Sequence, residues 1–400
     1  MWSPEQEKAL AAVKHWLTSS DKQVFRLFGY AGTGKTTLAK ALAEDAGDVL
    51  FAAFTGKAAH VLQSKGCPAS TIHSLIYQVR EKSLTAVRIA EQRLAKRLQE
   101  LDPKEVDNDP EVIQLRKVLT EEAANANQPF FQLNLDSPVR DADLVIIDEC
   151  SMVDGRMGQD LLSFGTKVLV LGDPAQLPPV MGEGFFTNAE PDIMLTEIHR
   201  QAKGNPIIDL ATMIRTFNRP KVGTYGSSVV MPKEELTKEI AMGADQIIVG
   251  RNKTRHGYNA RLRALHGYEG QLPNPGERVI CLRNNHEVGL LNGSIWDVSS
   301  ALELDTDRII MDLVNEDGQE VNVEAHTHYF QGREKDLSPF LKREAEEFTY
   351  GYAITCHKSQ GSQWNSVLVL DEGWCFRDDK WKWLYTAVTR AANRVVIAYT

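Results

Sequence analysis

The eight residues GYAGTGKT, 29–36, constrain this chain more than any other stretch. They fit G-x-x-x-x-G-K-[ST] at every fixed position, which average residue usage would produce by chance in roughly 1% of chains of this length. Residues 23–28 (QVFRLF) read as a strand entering the loop, and 37–46 as a helix leaving it. Such a unit turns backbone N–H groups inward on an anion and belongs to α/β folds. Gly29, Gly32 and Gly34 permit the turn, and Thr33 within it and Thr37 just after it join the nucleotide-binding set. Lys35 is placed to reach the β- and γ-phosphates of ATP or another triphosphate, and Thr36 to offer its hydroxyl to Mg²⁺.

A triphosphate site also needs a metal-holding carboxylate at a strand end. Residues 144–149 (LVIIDE) supply it: four apolar residues for a buried strand, then Asp148 for the metal and Glu149 to deprotonate an attacking water. A nucleotide kinase has no need of the second acid, because its acceptor brings the nucleophile. The stretch LGDPAQLPPV, 171–180, again leads a strand into a polar turn, where the Gln176 amide can sense the γ-phosphate.

Strand-length apolar runs at 49–54, 144–147, 167–171, 246–249, 366–370 and 394–399 alternate with helical stretches, which predicts parallel sheets with crossover helices. Two segments interrupt the alternation. Between 80 and 125 a helical stripe (Val87, Ala90, Leu94, Leu98, Leu101) is followed by Asp109-Pro110, a cap and first residue for a second helix. Between 273 and 332, short strands alternate with the turns Asn292-Gly293 and NEDG (315–318), which predicts a small β-barrel.

A net charge of −9 gives no global basic field, so any nucleic-acid binding must come from local groups lining a groove. The five cysteines form no C-x-x-C pair and read as reduced thiols of a cytosol-like compartment. The first residues lack a signal-peptide pattern, and no apolar run approaches the roughly 18 residues that span a bilayer. The expectation is a soluble, cytoplasmic chain with no membrane partner.

The ordered series GYAGTGKT, FTGKAA, STIHSL, VIIDECSM, GDPAQLPPV, LTEIHRQ, AITCHKSQGS and YTAVTRA resembles the superfamily 1 helicases, in particular the RecD/Dda-like group that moves 5′ to 3′ on single-stranded DNA. The resemblance runs from Ser3 to about Ile397, apart from the helical insertion. It implies two RecA-like motor domains, at 1–79 with 140–190 and at 191–270 with 346–400. It further implies a helical and wedge insertion at 80–139 and an SH3-like barrel at 271–345.

Carried over residue by residue, the resemblance makes Gln6 the adenine-reading glutamine and His199 a base-stacking ring. It makes Arg200 and Arg390 the two arginines that reach the γ-phosphate from the second motor domain. Thr55, Gly56, Lys57, Thr71, His73, Thr355, His357, Lys358 and Ser359 become DNA contacts. Their hydroxyls, cations and backbone N–H groups suit sequence-independent phosphate gripping, and each threonine also suits a helix cap. Gln363 departs from the family, where many relatives have Glu beside the sugar. The absence of Trp after Gln176, together with the β-insertion, implies 5′ to 3′ polarity.

In the family the wedge that parts the duplex projects between the STIHSL and DECS motifs. Here the candidate is 129–139 (PFFQLNLDSPV), with Phe130 or Phe131 stacking at the fork or packing beneath the helical hairpin. The implied protein is a monomeric ATP- and Mg²⁺-dependent DNA helicase. Its partners are single-stranded DNA, forked duplex and a replication or single-strand-binding protein. Alternatives are a translocase that strips proteins from DNA, an RNA helicase, and a nucleotide-gated DNA-binding module without turnover.

Overall fold

The computed structural model describes residues 2–80, 85–100, 109–126, 130–179, 184–197, 204–285, 287–337 and 341–399. The strand entering the Gly-rich loop, Val24–Gly29, lies inside a six-stranded sheet. Its order is Ala69–Thr71, Val49–Ala53, Leu144–Asp148, Lys167–Gly172, Val24–Gly29, Ile193–Leu195, and every neighbouring pair is parallel. Both faces are covered, which is why these strands read as continuous apolar runs rather than alternating ones. Ala9, Val13, Trp16, Leu38, Leu42 and Leu62 from helices Pro4–Ser19, Lys35–Ala43 and Gly56–Ser64 pack one face. Ile72, Ile76, Leu161 and Phe186 pack the other.

A second six-stranded sheet follows the same logic, in the order Ala353–Thr355, Gln246–Val249, Trp364–Asp371, Ala391–Tyr399, Ser228–Pro232, Gly223–Tyr225. Only the last pair is antiparallel. Helices Pro206–Arg215 and Lys380–Val388 bury Leu210, Ile214, Trp383, Tyr385 and Val388 against it. These two sheets, one parallel and one parallel but for its edge strand, are the α/β architecture that the alternating runs imply.

The second interruption folds as a five-stranded antiparallel sheet ordered Glu320–His326, Arg308–Val314, Ile295–Glu303, Arg278–Cys281, Phe348–Tyr350. Trp296, Val298, Met311, Leu313 and Phe348 form its core. Its NEDG turn is held by Asn315 Oδ1, which accepts from the N–H groups of Asp317 and Gln319, with Gly318 at φ +78°.

The first interruption contains the helices Thr85–Glu100 and Pro110–Ala126. Asp109 does more than cap: Oδ1 accepts from the Val112 N–H at 2.9 Å while Oδ2 accepts from Arg97 of the preceding helix at 2.7 Å. The wedge candidate is a shorter strand than its alternating pattern suggests. Among the described residues only Phe130–Leu133 pairs, antiparallel to Tyr77–Arg80. The chain then turns at Asn134, whose Oδ1 accepts from the Asp136 N–H, leaving Leu135 exposed. Among the described residues all cysteines are free, and no helix is long and apolar enough to cross a membrane.

Candidate functional site

Gly32 and Gly34 sit at φ +80° and +79°, the left-handed conformation that the loop needs and that side chains resist. Lys35 Nζ donates to the carbonyls of Gly29 at 2.6 Å and Tyr30 at 3.2 Å, so the cation lies within the loop. Thr36 donates to Asp148 Oδ2 at 3.0 Å, which joins the loop to the end of a strand two places along the sheet. Thr33 is buried with its hydroxyl on the Tyr30 carbonyl, whereas Thr37 is exposed on the helix. Gln6 reaches the loop from the first helix. Its Nε2 donates to the Thr33 carbonyl at 3.1 Å and its Oε1 accepts from the Ser3 N–H, closing a capping box.

Glu149 adopts φ +53°, unusual for a residue with a side chain. Its carboxylate comes within 4.0 Å of Arg390, which lies in the turn after helix Lys380–Val388 and belongs to the other sheet. Burial pushes the Glu149 carboxyl above the usual carboxylate range, and the Arg390 guanidinium pulls it back. Arg390 is itself buried, and donates to the carbonyls of Thr386 and Ser362. Gln176 is buried on the polar turn after strand Lys167–Gly172, and its Oε1 has no partner among the described residues. His199 and Arg200 lie outside the described residues.

Two residues that motif reading does not single out tie the halves together. Tyr385 donates to Asp173 at 2.6 Å and accepts from the Ala31 N–H of the phosphate loop at 3.1 Å. Burial raises the Asp173 carboxyl, with Lys35 and the Tyr385 hydrogen bond opposing it. Both residues lie within recognised motifs, yet nothing in their local sequence announces the pairing. Arg215 adds a third link, its guanidinium 3.5 Å above the Tyr30 ring.

A cavity of ≈ 670 Å³ runs between the strand ends of the two sheets. Thr55 and Lys57 line it from the first, and Thr355, His357 and Lys358 from the second. Thr55 also caps helix Gly56–Ser64, accepting from the Ala58 N–H at 3.1 Å. Lys57 is ion-paired with Glu316 in the NEDG turn of the antiparallel sheet. On the opposite wall, Lys358 donates to Asn292 at 2.7 Å. Burial lowers the pKa of both His357 and Lys358.

The remaining expected contacts are placed differently. Gly56 lies under Leu291, where an added Cβ would come within 2.8 Å of the leucine side chain. Thr71 is buried and caps helix Ile72–Ile76 through the Ser74 N–H. His73 meets Phe131 edge-on at 4.3 Å, beside the two-stranded ribbon rather than in the cavity. Ser359 is fully buried, its hydroxyl donating to the Cys356 carbonyl at 2.7 Å. Between the walls, Gly361 at φ +77° approaches the first sheet's helix so closely that a Cβ would lie 2.9 Å from the Ala58 methyl. Phe131 is 39% exposed, and the Phe130 side chain lies outside the described residues.

Residues 1–228, more than half of the chain, match the AAA domain family, and residues 350–398 match the UvrD-like helicase C-terminal domain. The chain belongs to the AAA domain family, within its RecD/Pif1-like superfamily 1 helicases. It is 29% identical over 280 residues to the ATP-dependent RecD2 DNA helicase of Deinococcus radiodurans, an alignment covering 63% of this chain and 36% of that protein. It is 24% identical over 310 residues to the ATP-dependent DNA helicase Pif1 of Campylobacter jejuni, covering 63% of this chain and 68% of the relative. The chain therefore spans about a third of the RecD2 helicase it matches. The crystal structure of Bacteroides Pif1 bound to single-stranded DNA has the same fold, with a TM-score of 0.54 at 17% identity, covering 99% of this chain and 92% of that one.

Proposed function

We propose that this RecD/Pif1-like chain is an ATP- and Mg²⁺-dependent DNA helicase that moves 5′ to 3′ on single-stranded DNA and unwinds duplex. The observation that carries this reading is the composite site: Glu149 at the end of one sheet faces Arg390 of the other at 4.0 Å. Residues from both sheets also line one cavity. The RecD2 and Pif1 relatives, named as ATP-dependent DNA helicases, support the same activity.

In this mechanism the loop N–H groups and Lys35 bind the phosphates, and Lys35 exchanges its carbonyl partners for phosphate oxygens. Gln6 reads adenine, His199 stacks on it, and Gln176 senses the γ-phosphate. Glu149 takes the proton of the attacking water, while Arg390 and Arg200 offset charge on the transferred phosphoryl group. The Thr36 hydroxyl and Asp148 carboxylate are hard oxygen donors 3.0 Å apart, a pair that fits Mg²⁺. Held there, the ion would neutralise charge developing on the phosphates.

Because the ATP site and the cavity are each shared between the two sheets, closure on ATP alters the spacing of Thr55 and Lys57 from Thr355, His357 and Lys358. Alternating grip then yields directional steps. The short strand Phe130–Leu133 supports a second reading, a translocase that displaces bound proteins without efficient unwinding. Strand displacement with 5′-tailed and 3′-tailed duplexes tests both. The helicase reading expects ATP-dependent unwinding of the 5′-tailed substrate alone. Unwinding of only the 3′-tailed substrate overturns the polarity. ATP-driven removal of a bound protein, with neither duplex opened, selects the translocase.

A further inference from the structure

The polar turn after strand Lys167–Gly172 belongs to the first sheet by chain connection and to the second by packing. Leu177 is 2% exposed and lies in the second sheet's core with Leu210, Trp383 and Leu384. Both polar atoms of its backbone are held by side chains of the second sheet's half. The Leu177 N–H donates to Thr386 Oγ1 at 2.8 Å, and the Leu177 carbonyl accepts from Gln360 Nε2 at 2.9 Å. Four residues earlier, Asp173 accepts from the Tyr385 hydroxyl that also meets the phosphate loop at Ala31. Pro174, Pro178 and Pro179 fix φ along this turn, so it passes on a displacement rather than absorbing it.

Gln360 stands at the other end of the connection. It directly follows helix Cys356–Ser359, which places His357 and Lys358 on the wall of the cavity, and its N–H donates to the His357 carbonyl. Gln360 borders the cavity but is only 3% exposed, and its Nε2 is engaged by Leu177, so it acts through that contact rather than on DNA. Breaking the contact leaves a buried main-chain carbonyl without its donor, which is what holds the turn and the wall at a fixed spacing.

We propose that Gln360 is a positioning residue that couples the ATP site to the DNA groove. The path runs from the phosphate loop through Tyr385 and Asp173, along the stiff turn to Leu177, and across the Gln360 amide to His357 and Lys358. Movement of the phosphate loop on ATP then displaces the groove wall, and DNA on that wall displaces the loop in return, because coupling between two binding sites is reciprocal. Gln360 shares a motif with expected DNA contacts, and its hydrogen bond to Leu177 sets it apart from them. The inference rests on the cavity being the path of single-stranded DNA and on the loop binding ATP.

The test is fluorescence anisotropy of the full chain on a short thymidine oligomer, with and without Mg²⁺ and the non-hydrolysable ATP analogue AMP-PNP. In the wild type the two Kd values are expected to differ at least about fivefold, the factor that about 1 kcal/mol of coupling represents. Gln360→Met removes the donor at similar length and should bring that ratio close to one. Thr386→Val should lower it as well, whereas Thr386→Ser, which keeps the hydroxyl, should retain it. A merely structural role shifts both affinities together and leaves the ratio unmoved. If Gln360→Met melts early, the Thr386 pair decides. A wild-type ratio in Gln360→Met, or in Thr386→Val when that pair decides, overturns the inference and leaves the helicase reading intact. A wild-type protein whose affinity ignores the analogue, or that binds no oligomer, overturns both.

Discussion

The Tyr385 hydroxyl donates to Asp173 at 2.6 Å and accepts from the Ala31 N–H at 3.1 Å, so one oxygen joins the phosphate loop of one sheet to a helix of the other. Asp173 is buried, and its folded pKa is raised above the unfolded value of about 3.9. A raised carboxyl pKa means that this group's contribution to stability is complete below the unfolded value and is lost as pH rises through the folded one. Tyr385→Phe removes a donor that favours the ionised form and moves the folded pKa further up. The substitution should therefore cost more at high pH, where a charged hydrogen bond worth about 1.5–3 kcal/mol is lost, and less in mild acid. Urea melts of both proteins at the two pH values check this, and an equal cost at both contradicts it.

In the proposed mechanism Glu149 and Arg390 divide the chemistry between them. Glu149→Gln should still bind ATP while turning over roughly 10²–10⁴-fold more slowly, the range for loss of a general base. Arg390→Ala should lower kcat much more than it weakens nucleotide affinity, because the cation acts on charge that develops in the transition state. Arg390 also holds the carbonyls of Thr386 and Ser362, so a thermal melt accompanies the assay. Wild-type turnover by Glu149→Gln removes that residue from the base role.

Lys57 is expected to grip a phosphate, yet it is paired with Glu316 in the NEDG turn, while His60 lies 3.6 Å from Asp317 in the same turn. DNA must displace this carboxylate to reach the lysine. Glu316→Gln should raise single-strand affinity and leave its salt dependence at least as steep. Lys57→Ala should reduce the slope of log K against log salt by about 1, the signature of one lost phosphate contact. Salt titrations of the two variants decide the point, and an unchanged slope in Lys57→Ala places the lysine outside the grip.

Phe131 stands edge-on to His73 and is 39% exposed, so truncating it removes less packing than truncating a core ring. Phe131→Ala should melt close to wild type and keep single-strand-stimulated ATPase. Loss of a fork stack worth about 1–3 kcal/mol should cut duplex unwinding. Normal melting with normal unwinding rules the ring out as the wedge.

The legible parts of this molecule are those whose chemistry acts over a few residues. A strand, a glycine turn and a helix around 29–36 can be read directly, as can the cap at Asp109 and the NEDG turn, because each is stabilised by its neighbours in sequence. The three-residue strand Ala69–Thr71 carries no such signal, since its extended conformation is set by pairing with Val49–Ala53. Ser359 lies in a recognised motif, but its hydroxyl turns inward to Cys356, a choice made by packing. Lys57 and Glu316 are 259 positions apart, and no local pattern links them.

Gly361 sets how near the two halves of the proposed motor can sit. A Cβ at this position would lie 2.9 Å from the Ala58 methyl, so only a residue without a side chain lets the backbone of one grip pass this close to the helix of the other. Any larger residue would wedge the two grips apart before ATP could draw them together. The stroke of the machine thus depends on the smallest residue in its path.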